Sequence, residues 1–114
     1  MIEPRLSAEM VVQSLLRKTN QNGGFGMVLQ KGDRISGAIL IICLEKGKDP
    51  RLLEKMPSLD GPSNWQVIWP QPVEKQQDLD EYLKRRSSFD PDLWLIELDI
   101  PDAEQLIAEM TAIH

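Results

Sequence analysis

Five carboxylates gather near the end of the chain: Asp90, Asp92, Glu97, Asp99 and Asp102. Paired carboxylates can hold a cation or exchange a proton with a substrate. Whether these converge depends on the element that carries them. A strand over 93–99 sets Leu93, Leu95, Glu97 and Asp99 on one face and Trp94, Ile96 and Leu98 on the other. Asp92 and Asp99 then stand at opposite ends of the strand, roughly 20 Å or more apart at ~3.3 Å per residue, and cannot share an ion. Glu97 and Asp99 point the same way at the C-terminal end, where sheet-based sites gather. They form the candidate acidic site. The plainer role for them is a salt bridge to a Lys or Arg of a neighbouring strand, with Asp102 as a helix cap.

A second group is basic. Lys46, Lys48, Arg51 and Lys55 surround the turn between the second and third strands, with Arg17, Lys18 and the run Lys84-Arg85-Arg86 elsewhere. Such a group can meet an anion or an acidic partner. It can equally be a solvated edge, because lysines on edge strands block unwanted pairing. A third group is aromatic. Trp65, Val67 and Trp69 share one face of a strand over 65–69. If exposed, that face anchors a partner, since Trp is enriched at binding hot spots; under a helix it is core. Trp94 and Cys43 fall within apolar strands and are expected in the core, where a thiol is inert.

Several chemistries are excluded. His114 is the last residue and the only histidine, a poor base for a Ser-His-Asp or Cys-His site. With Cys43 the only cysteine, neither an intrachain disulfide nor a Cys/His zinc site can form. Gly23-Gly24-Phe25-Gly26 leaves a helix and enters a strand, the reverse of a phosphate cradle. Gly47-Lys48 lacks the flanking residues of a Walker loop. Glu45-Lys46 and Glu54-Lys55 are adjacent pairs, so their members face opposite sides of a strand and cannot form a metal-nuclease site. No metal or cofactor is expected.

The elements that position these groups follow from periodicity. A first helix is predicted over 7–21, capped by Ser7, with Ala8, Val11, Val12, Leu15, Leu16 and Thr19 on one stripe and Asn22-Gly23-Gly24 ending it. Strands follow at 25–31, 36–45, 51–56 and 65–69. Turns at Gly32-Asp33, Gly47-Lys48-Asp49-Pro50 and Asp60-Gly61 join them, which suggests an antiparallel meander. After Pro70 and Pro72 comes a helix over 78–86, where Asp78 and Glu81 have capping-box spacing. The strand over 93–99 is next, and Pro101 and Asp102 start the last helix. The order α-β-β-β-β-α-β-α, with the second and fifth strands apolar on both faces, implies an α/β domain. Its mixed central sheet is covered by helices on both faces, with those two strands central and the third or fourth at an edge.

The chain of 114 residues has one domain's length and, at 41% apolar and 27% charged, a globular composition. Its net charge of -5 argues against non-specific nucleic-acid binding. Residues 1–72 hold nine Lys/Arg against seven Asp/Glu, and residues 73–114 hold four against eleven, an asymmetry that can steer a partner or a second copy. The opening residues Met1-Ile2-Glu3-Pro4-Arg5 show no apolar core of signal-peptide length, and the longest apolar run, 38–44, is too short to span a bilayer. A soluble cytoplasmic protein without membrane contact is expected.

Lys31-Gly32-Asp33 with Gly37-Ala38-Ile39-Leu40, Pro50-Arg51-Leu52-Leu53, and Phe89-Asp90-Pro91-Asp92-Leu93-Trp94 running on through Ile96-Glu97-Leu98-Asp99 resemble a small alphaproteobacterial family, domain of unknown function 1491. The resemblance covers almost the whole chain, and the Phe-Asp-Pro-Asp-Leu-Trp segment is its most specific part. It implies a compact α/β domain in a bacterial cytosol and carries no activity, cofactor or catalytic residue. The expected function is therefore a non-catalytic interaction module that binds a protein partner or a second copy of itself, including dimerisation through an edge strand. The alternative is a small enzyme or anion-binding protein using Glu97, Asp99 and a basic residue such as Arg51.

Overall fold

The computed structural model describes residues 7–56, 64–69 and 74–112. Eight elements follow one another: α1 (Ala8–Gln21), β1 (Phe25–Gln30), β2 (Ile39–Glu45), β3 (Lys48–Met56), β4 (Asn64–Trp69), α2 (Gln76–Phe89), β5 (Trp94–Asp99) and α3 (Ala103–Ala112). The strands form one mixed sheet in the order β1-β5-β2-β3-β4. β5 runs parallel to β2 and antiparallel to β1, while β2, β3 and β4 form an antiparallel meander. The expected element order and layering are observed, and β2 and β5 are interior.

Side-chain alternation along β5 divides the core in two. Trp94, Ile96 and Leu98 pack with Ile39, Ile41 and Cys43 under α1 and α3. Leu93 and Leu95 pack with Leu40, Ile42 and Leu52 under Leu79, Tyr82 and Leu83 of α2. The two faces need both helical layers, because neither face of β2 or β5 tolerates water.

Four expectations are corrected. The meander does not include β1, because β5 inserts between β1 and β2. Continuous apolarity drives β5 to the interior, and β1 is left at the edge. The turn after β2 is not Gly47–Pro50 but the two residues Lys46 and Gly47, with φ of 52° and 75°, so β3 starts at Lys48. A two-residue hairpin loop of this hand matches the twist of its strands. α2 starts at Gln76, two residues before the expected cap; Lys75 is its N-cap and makes no side-chain capping bond. Asp78 lies inside the first turn, where its charge still favours the positive helix end. Before α3, Asp102 caps with its backbone: it sits at φ 58°, and its carbonyl accepts from the amides of Gln105 and Leu106 at 3.0 and 3.2 Å. The predicted turn at Asp60-Gly61 and the proline stop at Pro70 and Pro72 lie outside the described residues.

The start of α1 is set as the sequence suggests. The Ser7 hydroxyl accepts from the Met10 amide at 3.2 Å, and the Ala8 and Glu9 amides donate to the carbonyls of Ile35 and Arg34. The Thr19 hydroxyl is buried on the apolar side of α1 with no hydrogen-bond partner among the described residues.

Candidate functional site

Glu97 and Asp99 do face the same way at the C-terminal end of β5, but their environments differ. Asp99 is committed to the fold. Its two carboxylate oxygens accept from the amides of Lys46 and Gly47, each at 2.8 Å. A carboxylate receiving two backbone N–H bonds stabilises a turn that holds Lys46 in left-handed backbone. Glu97 stands between Ile42 of β2 and Met27 of β1 in the register, half-buried. Burial pushes its carboxyl up from the usual range, and the neighbouring charge of Asp99 adds to the rise.

The basic group is likewise spoken for in part. The Arg51 guanidinium grips the Glu104 carboxylate of α3 with two bonds, Nε to Oε2 and, at 3.1 Å, Nη2 to Oε1. Its third donor, Nη1, reaches the Asp49 carbonyl at 3.0 Å. The bond to Glu104 raises the Arg51 guanidinium further above its ordinary value, outweighing its partial burial. Burial pushes Glu104 up, but the Arg51 bond, its own backbone amide and the Arg51 charge together hold it below the ordinary value. Beside this pair lies a polar depression of about 470 Å³ lined by Glu45, Arg51, Asp102, Glu104 and Gln105. Lys46 and Lys48 project from the exposed hairpin, and Lys55 lies opposite Trp65 on β4. Cys43 is buried opposite Arg51, and burial pushes its thiol up to about 12. A thiol held there is inert. Among the described residues no cluster of three His, Cys, Asp or Glu side chains could hold a metal.

Trp69 is half-buried against Tyr82 of α2, with ring centroids 5.3 Å apart. The β3–β4 register shifts between Leu52↔Trp69 and Leu53↔Val67. The Trp65 side chain lies outside what the structure describes.

Two features escape the sequence reading. One is a buried ion pair under α2. Glu54 is 4% exposed on the α2 face of β3, and both its oxygens accept from Arg86, at 2.7 and 2.6 Å. Arg86 also donates to the Tyr82 hydroxyl at 3.0 Å. Only the helical position of Arg86 at the end of a basic run could have pointed to it. The other is the surface of β1. Phe25, Met27, Val28 and Leu29 are 61%, 41%, 36% and 44% exposed, on a strand that among the described residues pairs with β5 alone. Met27 and Phe25 lie opposite Glu97 and Asp99, so they share the sheet face that α2 covers. The α2-face core lies on β2, β3, β4 and the start of β5, and among the described residues leaves the β1 side uncovered.

Of the segments that carry the family resemblance, 31–33, 37–40 and 89–94 meet in space at the opposite end of the sheet. The Trp94 indole donates to the Asp33 carbonyl at 2.6 Å, and the Asp33 amide donates to the Asp92 carbonyl at 3.0 Å. A Cβ on Gly32 or Gly37 would lie 2.2 Å from the Asp92 carbonyl oxygen, so only glycine lets these backbones touch. Asp90 closes its own turn by accepting from the Asp92 amide at 3.1 Å. These residues build a joint between the loop after β1 and the entry to β5. Their hydrogen bonds face inward.

Residues 6–108 match the family described as "Protein of unknown function (DUF1491)". A crystal structure of a DUF1491 family protein from Caulobacter crescentus is similar, with 32% identity over 87% of this chain and 92% of that one and a TM-score of 0.71. An NMR structure of a DUF1491 family protein from the same organism gives 31% identity, 89% and 91% coverage and a TM-score of 0.72. A solution structure of a protein from A. tumefaciens gives 25%, 87%, 89% and 0.68. A search of curated proteins finds no match. No helix among the described residues is long and apolar enough to cross a membrane.

Proposed function

Because the chain belongs to the DUF1491 family, whose description carries no activity, we propose from its own geometry that it is a non-catalytic interaction module of the bacterial cytosol, and that it binds protein through β1. The observation that carries this reading is the edge itself: four exposed apolar side chains on a strand that, among the described residues, is bonded along one side only. An open edge offers unpaired N–H and C=O groups to an incoming strand, and side chains on both faces give it specificity. The engagement of Asp99 by turn amides and of Arg51 by Glu104 supports the same reading, since neither group is held ready for a substrate. The exposed Lys46 and Lys48 can steer an acidic partner towards the adjoining end of the sheet.

The test is photo-crosslinking in a lysate of the source cells, with a photoreactive amino acid placed at position 27 or, as control, at the exposed position 85 of α2. A crosslinked protein chain at 27 and none at 85 is expected. No crosslink at 27, or the same products at both positions, would overturn the reading.

A further inference from the structure

We infer that the occupant of the β1 edge is a second copy of this chain, joined by a two-fold axis at Met27 into a continuous ten-stranded sheet. The inference rests on the reading above and names the partner.

The backbone defines which groups point outward. The Gly26 amide donates to the Asn20 side chain at 3.3 Å instead of to β5. In an antiparallel ladder, alternate residues turn their hydrogen-bonding groups to the same side. Val28, two residues on, therefore directs its N–H and C=O away from β5, as Gly26 does its C=O, while Phe25 and Met27 bond inward. The ladder is regular from Phe25 to Val28 and shifts between Val28 and Gln30, so the pairable stretch is centred close to Met27. An axis there sets Gly26 opposite Val28 of the other copy as a hydrogen-bonded pair, and Met27 opposite its own equivalent. In the dimer Asn20 hands the Gly26 amide over to Val28 of the other copy.

Three observations favour a second copy over a lone foreign strand. First, β1 holds no charged residue in Phe25–Gln30, so two copies meet without like-charge repulsion. Second, α1 lies over this edge: Leu16 closes on Gly26, where an added Cβ would come within 2.8 Å of its Cδ2, and Asn20 bonds to the same residue. α1 also packs against β5. A helix that spans two strands is met by its symmetry mate about two strand spacings away, roughly 10 Å, which is the distance at which helices pack. A lone strand would leave this flank bare. Third, the two α1 helices run antiparallel across the axis. Their helix dipoles then oppose. On the opposite face of the sheet, Phe25 and Met27 of the two copies cover one another.

The test uses the purified full chain. Light scattering across a concentration series is expected to give twice the chain mass, falling to one chain mass for Met27→Lys, which opposes two ammonium groups at the axis. Val28→Pro should do the same, since it removes an outward N–H and leaves the β5 ladder intact. Both positions are partly exposed, and circular dichroism checks that each variant stays folded. Met27→Cys reports the register: residues facing as a non-hydrogen-bonded pair have Cα atoms about 4.5 Å apart, within disulfide range. Mild oxidation should therefore link two chains, with the buried Cys43 inert. A dimer that persists in both variants, or that Met27→Cys fails to link, overturns the inference. One chain mass at every concentration overturns it too. In that case a lysate crosslink at position 27 would leave the strand-addition reading standing with a different partner, and absence of that crosslink would remove both.

Discussion

Asp99→Ala separates a structural carboxylate from a functional one. The wild-type side chain accepts two amide bonds of 2.8 Å from Lys46 and Gly47. Hydrogen bonds to an ionised acceptor contribute about 1.5–3 kcal/mol each when sheltered. Here the freed amides can turn to water, so the low end applies, offset in part by relief of the like charge that Asp99 imposes on Glu97. The expected net loss is about 2 kcal/mol. For a domain of this size that is roughly 6–10 °C in melting temperature. Asp99→Asn, which keeps one acceptor oxygen, should lose about half as much. Calorimetry with urea denaturation measures both. A carboxylate held in place for a ligand behaves in the opposite way, because removing it relieves repulsion and stabilises the protein. An Asp99→Ala variant as stable as the wild type, or more so, would mean that Asp99 does not hold the turn and would return Glu97 and Asp99 to candidacy as a ligand site.

Three further outcomes follow from the same geometry. Lys46→Asn should stabilise by roughly 0.5–1 kcal/mol, because Asn tolerates the left-handed backbone that Lys46 adopts at φ 52°; an unchanged denaturation midpoint would contradict this. Arg86→Met leaves the Glu54 carboxylate buried and unpaired and should cost about 3–5 kcal/mol, whereas Glu54→Met with Arg86→Met should recover most of it; equal losses in the single and double variants would speak against a buried pair. Glu97 has a folded-state pKa above its ordinary value of 4.5, so the folded state holds that proton more tightly and stability falls as pH rises from the ordinary value through the folded one. Glu97→Gln should therefore melt higher than the wild type at pH 7 and match it near pH 4, as thermal scans across that range would show.

What could be read in advance depended on whether the determining interactions were local. Ser7, the stripe through Val12 and Leu15, and the alternation of Trp94, Ile96 and Leu98 each act within one element, and each stands where its spacing put it. Strand order was harder. The continuous apolarity of β2 and β5 marked both as interior, but nothing local showed that β5 would enter between β1 and β2 and break the meander there. The hairpin turn was misplaced by two residues because Lys is a poor left-handed residue; its conformation is stabilised by Asp99, 53 positions along the chain. Glu54 and Arg86 were invisible as partners for the same reason, lying 32 residues apart on different layers. The candidate groups around Glu97 and Arg51 were legible as residue types, but their commitments to turn amides and to Glu104 were not. The bare face of β1 needed knowledge of how far α2 extends across the sheet.

The claim that β1 pairs with β1 of a second copy is tested most directly by the amide exchange rate of Val28 in isotope-labelled chain, measured by NMR over a range of concentrations. The Val28 N–H is predicted to become protected as concentration rises, while the inward-bonded Met27 amide stays protected throughout. A Val28 amide that exchanges at the rate of free backbone at every concentration would contradict the account.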